Sequence, residues 1–287
     1  MRAVYKHELS TYFTTMTGYI FCAFILLFAG IYTSNICLDQ AFPEFEYVFG
    51  YMGFVFLIAV PVLTMRVMAE EKKQRTDQLL YSLPVSTTKI ILGKYLALLT
   101  VLAVSTVIST LYVFIISRFG DVNLKAALGG AVGFFLIGAA YLAIGLFISS
   151  CTESQILAAG LSFVVLLVNY FLQQIAGMID KSAVVSFASL IGVSLVIALI
   201  VYLMVRNLTV AGSVGIVLVF ATVICYMVNP TWFEGLVPKI LSKLCINAYH
   251  MDFMYASFNL TNVVFFLSVA AVFVFLSIQS LEKRRWS

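Results

Sequence analysis

The chain has 287 residues, of which 62% are hydrophobic and only 10% charged, and it carries a net charge of +4. Its mean hydropathy of +1.06 excludes a soluble globular domain, in which about a quarter of residues are charged. The basic residues are spread between apolar runs rather than gathered on one domain, which argues against a nucleic-acid-binding face.

Eight apolar runs reach the roughly 20 residues that a helix needs to cross a bilayer: about 18–38, 47–65, 95–117, 126–149, 156–179, 182–205, 208–228 and 260–281. Lipid cannot satisfy an open backbone, and the ten-residue alternation of a barrel strand is missing, so the spans are predicted to be helices. With the N-terminus inside, twelve of the 17 Lys and Arg residues fall on the cytoplasmic side and five outside, as the positive-inside rule expects. The expectation is an all-α, polytopic membrane protein with about eight transmembrane helices and both termini cytoplasmic, set in a plasma membrane.

Residues 1–17 carry Val4, Leu9, Tyr12, Phe13 and Met16 at helical spacing, opposite Arg2 and Lys6. They read as a helix in the inner interface, broken from the first span at Gly18. The first apolar run is too long, and starts too far in, for a cleaved signal peptide.

After the second span comes a polar island, residues 66–94, with Arg66, Lys72, Lys73, Arg75, Lys89 and Lys94. Glu70 and Glu71 start a helical extension of the span, and Glu71 with Arg75 forms an i,i+4 pair that supports it. Thr76 suits an N-cap. Asp77 follows, and Leu79, Leu80 and Leu83 then make an apolar knob on a short helix that Pro84 ends. Val85 leads to Ser86, which caps the next helix as Ile90, Ile91 and Leu92 enter the third span. Two readings fit exposed leucines beside charges: a coupling helix seated in a soluble partner, or an interfacial helix resting among headgroups.

Further on, Gly129 and Gly133 form GxxxG in the fourth span, continued by Ala139 and Ala143. Asn169, Gln173 and Gln174 are polar and uncharged, and bonding to neighbouring helices is the favoured reading over lining a path. Residues 229–259 form the longest outer segment. Trp232, Phe233, Leu236, Val237, Ile240, Leu241 and Leu244 follow helical spacing opposite Lys239 and Lys243, which predicts an amphipathic helix on the outer leaflet. Trp232, Phe233, Leu236 and Ile240 are outer-gate candidates; a plain surface anchor fits equally. Cys37 and Cys245 both fall outside, so a disulfide fits the topology, although buried apolar filler is the favoured role of free cysteine. His7 and His250 fall on opposite sides, so no His/Cys metal cluster is expected.

No Asp, Glu, Lys, Arg or His falls well inside a run, which disfavours an ion-coupled carrier and in-membrane acid/base or metal chemistry. Gly93-Lys94 lacks the glycine five positions earlier and the following hydroxyl of a phosphate-cradling loop. Energy for uphill work must then come from another subunit.

The run Ala69–Lys94, with its order E-E-K-x-x-R-T-D-x-L-L-x-x-L-P-V-S-x-x-x-I-x-L-G-K, resembles the cytoplasmic signature of ABC-2 type permeases of the GldF/NosY group. Met1–Phe21, Tyr141–Gln155 and the closing LEKRRWS are also similar to that group. The resemblance implies one ABC-2 transmembrane domain over residues 1–287, probing two copies of an ABC ATPase with the Thr76–Leu83 helix and pairing with a second permease protomer. It implies that ATP and Mg belong to the ATPase, that this chain binds no cofactor and is no enzyme, and that the N-terminal helix and the Ser149–Gln155 turn assist docking. The residues so implied for coupling are Glu70, Glu71, Arg75, Thr76, Asp77, Leu79, Leu80, Leu83, Pro84, Val85, Ser86 and Lys94. Asp77 stands where the group more often has Glu, Arg75 where Gly is common, and the extra pair 182–228 resembles a longer subgroup. The function implied is the permease subunit of an ATP-driven exporter. The alternatives are a remodelling subunit of an ATPase-driven assembly without solute flux, and an ion-coupled carrier.

Overall fold

The computed structural model describes residues 1–39, 44–75, 86–118, 120, 122–205, 208–254 and 259–286. Every described regular element is helical: α1 (Arg2–Thr14), α2 (Thr17–Thr33, prolonged by a π-turn Ser34–Asp39), α3 (Glu46–Tyr51, then a 3-10 turn Met52–Phe54), α4 (Phe56–Thr64), α5 (Ala69–Lys73), α6 (Thr87–Ile116), α7 (Leu124–Cys151), α8 (Gln155–Met178), α9 (Ala183–Val205), α10 (Leu208–Val228), a 3-10 turn Pro230–Phe233, α11 (Leu236–Leu244), α12 (Ile246–Met254) and α13 (Leu260–Trp286).

The apolar runs coincide with helices, where about eight spans were expected. Among the described residues five helices are long and apolar enough to cross a membrane, and seven if each of two bent pairs counts as one span. The second run is one such pair, Glu46–Phe54 with Phe56–Lys73, bent by 60°. Its bend follows from the 3-10 turn at Met52–Phe54, where Gly53 offers no side chain and lets Asn247 of α12 approach. Of the run 182–205, Ala183–Leu195 qualifies as a shorter apolar helix.

The chain forms two compact units, Met1–Tyr170 with Ile246–Ser287, and Phe171–Cys245. In the first, α7 is the central helix, packed by α13, α6, α3, α12 and α4. Small residues make this possible, because helices in lipid associate through close van der Waals packing. A Cβ on Gly133 would lie 2.8 Å from Phe253 Cβ, and one on Gly138 would lie 2.8 Å from both Leu102 Cδ2 and Phe56 Cζ. The expected Gly129–Gly133 face is thereby corrected: nothing stands within 4 Å of a Cβ on Gly129. Phe56 stacks on Phe134 with ring centroids 4.5 Å apart, and Tyr95 donates to the Ala139 carbonyl at 3.0 Å, so α4 and α6 are both keyed to α7.

The break after α1 falls at Met16, left-handed at φ 61, and not at Gly18. Gly18 lies inside α2, where a Cβ would meet the Tyr12 carbonyl oxygen at 2.9 Å. The apolar stripe of α1 faces α6: Val4 sits against Gly93, and the Tyr5 and Thr100 hydroxyls are 3.0 Å apart. Met16, expected in the stripe, is exposed.

The amphipathic helix expected from the spacing of Trp232 to Leu244 is present only from Leu236 to Leu244. Asn229 Oδ1 accepts from the Thr231 N–H and starts the 3-10 turn. Gly235 then breaks it at φ 63, so α11 begins only at Leu236. Phe233 is buried with Phe187 and Tyr226, at centroid distances of 6.3 and 5.4 Å, inside the second unit. The remainder, α12, belongs to the first unit and packs on α3 and α7. His250, expected on a surface segment, is therefore buried there; its Nε2–H donates to the Phe49 carbonyl at 3.1 Å. Burial pushes its pKa down to about 4, so it is neutral at pH 7. Asn169 accepts from the Ile246 N–H at 3.2 Å, the bonding role favoured for it, and Gln173 and Gln174 are exposed. Cys37 and Cys245 are each buried.

Candidate functional site

The polar island begins where α4 ends. Arg66 grips Glu70 with two hydrogen bonds, Nε to Oε2 at 2.7 Å and Nη2 to Oε1 at 3.0 Å, one helical turn on. This pair takes the place of the expected Glu71–Arg75 pair. Arg75 follows the end of α5, exposed and at φ 56, while Glu71 turns inward.

The opening of α5 leaves backbone N–H groups without intrahelical partners. Those of Met68 and Ala69 both donate to Ser149 Oγ at 3.2 Å. Ser149 stands in the last turn of α7, whose final carbonyls also lack helical partners. The Ser150 carbonyl accepts from Lys72 Nζ and from Ser280 Oγ of α13, the latter at 3.1 Å. On the far side of the island Ser86 occupies the N-cap of α6 in an extended conformation without a side-chain cap bond. Thr87 beside it donates to Glu282 Oε1 of α13 at 2.8 Å.

Lys94 is the centre of this arrangement. Lys94 lies near the start of α6, which begins at Thr87, and is only 1% exposed. An ammonium has three donors. Lys94 Nζ reaches Glu8 Oε1 of α1 at 2.6 Å, Glu71 Oε1 of α5 at 2.7 Å and the Val67 carbonyl at 3.1 Å. Burial, then the Glu8 and Glu71 carboxylates, push the nearby Tyr12 phenol well above its ordinary pKa, so it stays protonated. A cleft of about 590 Å³ opens over the group, lined by His7 and Thr11 of α1 and by Arg66, Glu70 and Gln74, with Lys94 on its wall.

The structure thus brings Glu70, Glu71, Ser86 and Lys94 to one polar end of the first unit, and α1, α5, α6, α7 and α13 meet there. Thr76, Asp77, Leu79, Leu80, Leu83, Pro84 and Val85 lie outside the described residues. The outer-gate candidates belong to the second unit: Trp232 and Ile240 are exposed, Leu236 is half-buried and Phe233 is buried. Sequence reasoning missed Glu8, Ser149 as a capping group, and Glu282. A single lysine inside the apolar stretch Ile90–Leu99 was a usable signal for the first, since such a charge demands partners. Among the described residues no three His, Cys, Asp or Glu side chains are grouped to hold a metal. The hydrogen bonds and ion pairs of this arrangement join five helices.

The family model for ABC-2 family transporter proteins matches residues 4–183, more than half of the chain, and those residues contain the whole island and its anchors on α1, α6 and α7. The chain belongs to the ABC-2 transporter family. It is therefore the membrane-spanning permease subunit of an ABC transporter, a multi-pass protein whose family role is not catalytic. No curated protein and no solved structure matches the permease.

Proposed function

We propose that this permease is the membrane half of an ATP-driven exporter of the GldF/NosY-like group, paired with a second permease protomer and seated on two copies of an ABC ATPase in a bacterial plasma membrane. The ATPase binds ATP and Mg and hydrolyses the nucleotide. Residues 66–94 lie on the cytoplasmic side and receive the work. The observation that carries this reading is that both flanks of residues 76–85 are tied into one polar cluster. The leading flank is held through Met68, Ala69, Glu71 and Lys72, and the trailing flank through Thr87 and Lys94. A push on 76–85 is thereby delivered to helices α1, α5, α6, α7 and α13 together.

Leu79, Leu80 and Leu83 would enter an apolar groove of the ATPase, and an aspartate in such a groove strands a charge away from water. Replacing Leu79 and Leu80 with Asp is expected to abolish copurification of the ATPase with a tagged full-length permease while the permease still reaches the membrane. Undiminished copurification, together with undiminished ATP hydrolysis by the complex, would contradict the docking role.

A further inference from the structure

Lys94 is paired with two carboxylates where one would neutralise it, and the two stand on different helices. Glu8 is on α1, Glu71 is on α5, and both are met by Nζ at under 3 Å. The Lys94 side chain itself is 1% exposed, while those of Glu8 and Glu71 keep 13% and 23% exposure along the cleft. Cohesion alone does not account for such a group. Burying charges is costly, and well-packed apolar side chains of similar volume hold helices together at least as well. What the charges add is a joint that can move. If α5 is drawn away, Lys94 keeps Glu8; if α1 is drawn away, it keeps Glu71. In neither arrangement is the ammonium left alone in the interior, so two discrete positions of α1 and α5 against α6 are both tolerated, and such bistable elements carry coupling between distant sites.

We infer that Lys94, with Glu8 and Glu71, is a two-position joint that passes displacement of residues 76–85 to the long helix α6. This rests on the ATPase reading above and adds to it the residues that relay the motion. Glu8, Glu71 and Lys94 act here as positioning residues, and none touches a substrate. Lys94 stands near the start of α6, whose other end reaches Ile116, so a shift at the joint is felt along the whole helix.

The test uses the full-length permease with its ATPase in lipid nanodiscs. The reporter is Ser117→Cys, an exposed position just past α6, with the exposed native cysteines changed by Cys151→Ser and Cys225→Ser. The reading is the rate of maleimide labelling with and without a non-hydrolysable ATP analogue. Glu8→Gln and Glu71→Gln each leave Lys94 paired with one carboxylate, so the buried charge stays balanced. Each is expected to shrink the nucleotide-dependent change in rate about tenfold, the weight that one charge-assisted hydrogen bond gives to a two-state equilibrium. If either variant fails to assemble, the neutral set Glu8→Gln, Glu71→Gln and Lys94→Met replaces it and is expected to erase the change. A full nucleotide response in the variants overturns the joint. A parent complex that forms but shows no nucleotide response also overturns the joint, whereas failure of the complex to form at all overturns the ATPase reading beneath it.

Discussion

Lys94→Met is expected to cost about 3–5 kcal/mol of stability, the range found when one partner of a buried ionic group is removed. The loss does not come from packing, since Met fills nearly the same volume and is itself a good filler of helical interiors. It comes from Glu8 and Glu71, which stay in place with their carboxylates facing each other across the vacated position. Their side chains keep 13% and 23% of their exposure, so partial hydration places the effect toward the lower end of the range. The check is the apparent melting temperature of the purified permease in one detergent. Lys94→Met should fall well below the parent, while the same change combined with Glu8→Gln and Glu71→Gln should recover most of the difference, because no buried charge is then left unbalanced. Equal loss in both variants would mean that the ammonium contributes shape rather than charge.

Gly145→Val is the second substitution with a large expected effect. Gly145 is on α7 where α4 crosses it, and a Cβ there would stand on Thr64 Oγ1 and 2.9 Å from Thr64 Cβ and Cγ2. Thr64 cannot swing aside freely: it is fully buried and its hydroxyl donates to the Val60 carbonyl at 2.9 Å. The helices must therefore separate, and overpacking of this kind costs about 1–3 kcal/mol or more. Gly129→Val, with nothing within 4 Å of the new Cβ, is the control and should change stability by no more than about 0.5 kcal/mol, leaving the melting temperature close to that of the parent. Thr64→Ala should rescue Gly145→Val only in part, since the Thr64 Cβ that remains is itself too close. Similar melting temperatures for Gly145→Val and Gly129→Val would contradict this account of how α4 and α7 meet.

The two glycines show what could be read from the chain and what could not. That α7 would be rich in close contacts was legible from its small residues. Which of them make contact was not, because that depends on the rotation of the helix against α4 and α12, set by side chains far away in sequence. The helices themselves were legible, because twenty apolar residues in lipid have one economical conformation. The sequence points to a break at Gly18, two residues past the actual one, because glycine is the usual breaker. Here the left-handed residue is Met16, and Gly18 is needed for the close passage of Tyr12. At the polar end, the residues of the island were legible as a group but their partners were not. Arg66 and Arg75 both lie within reach of a glutamate along a helix, and only the turn at Arg75 decides that Arg66 is the one paired. Glu8 and Lys94 are 86 residues apart, and nothing local links them. The bend in the second run was hidden for the same reason: its apolar composition is continuous, and Gly53 in the 3-10 turn lies against Asn247 and His250 of α12, which arrives from near the end of the chain.

The central claim is that this permease takes work from a separate ATPase through residues 66–94. Its most direct measurement is crosslinking from Leu80→Cys in native membranes, with a short thiol-to-amine reagent and identification of the joined peptide by mass spectrometry. The account predicts a crosslink to an ABC ATPase, formed in inverted vesicles and protected from a membrane-impermeant maleimide in intact cells. Labelling of that cysteine from outside intact cells, or crosslinks that join it only to this chain, would contradict it.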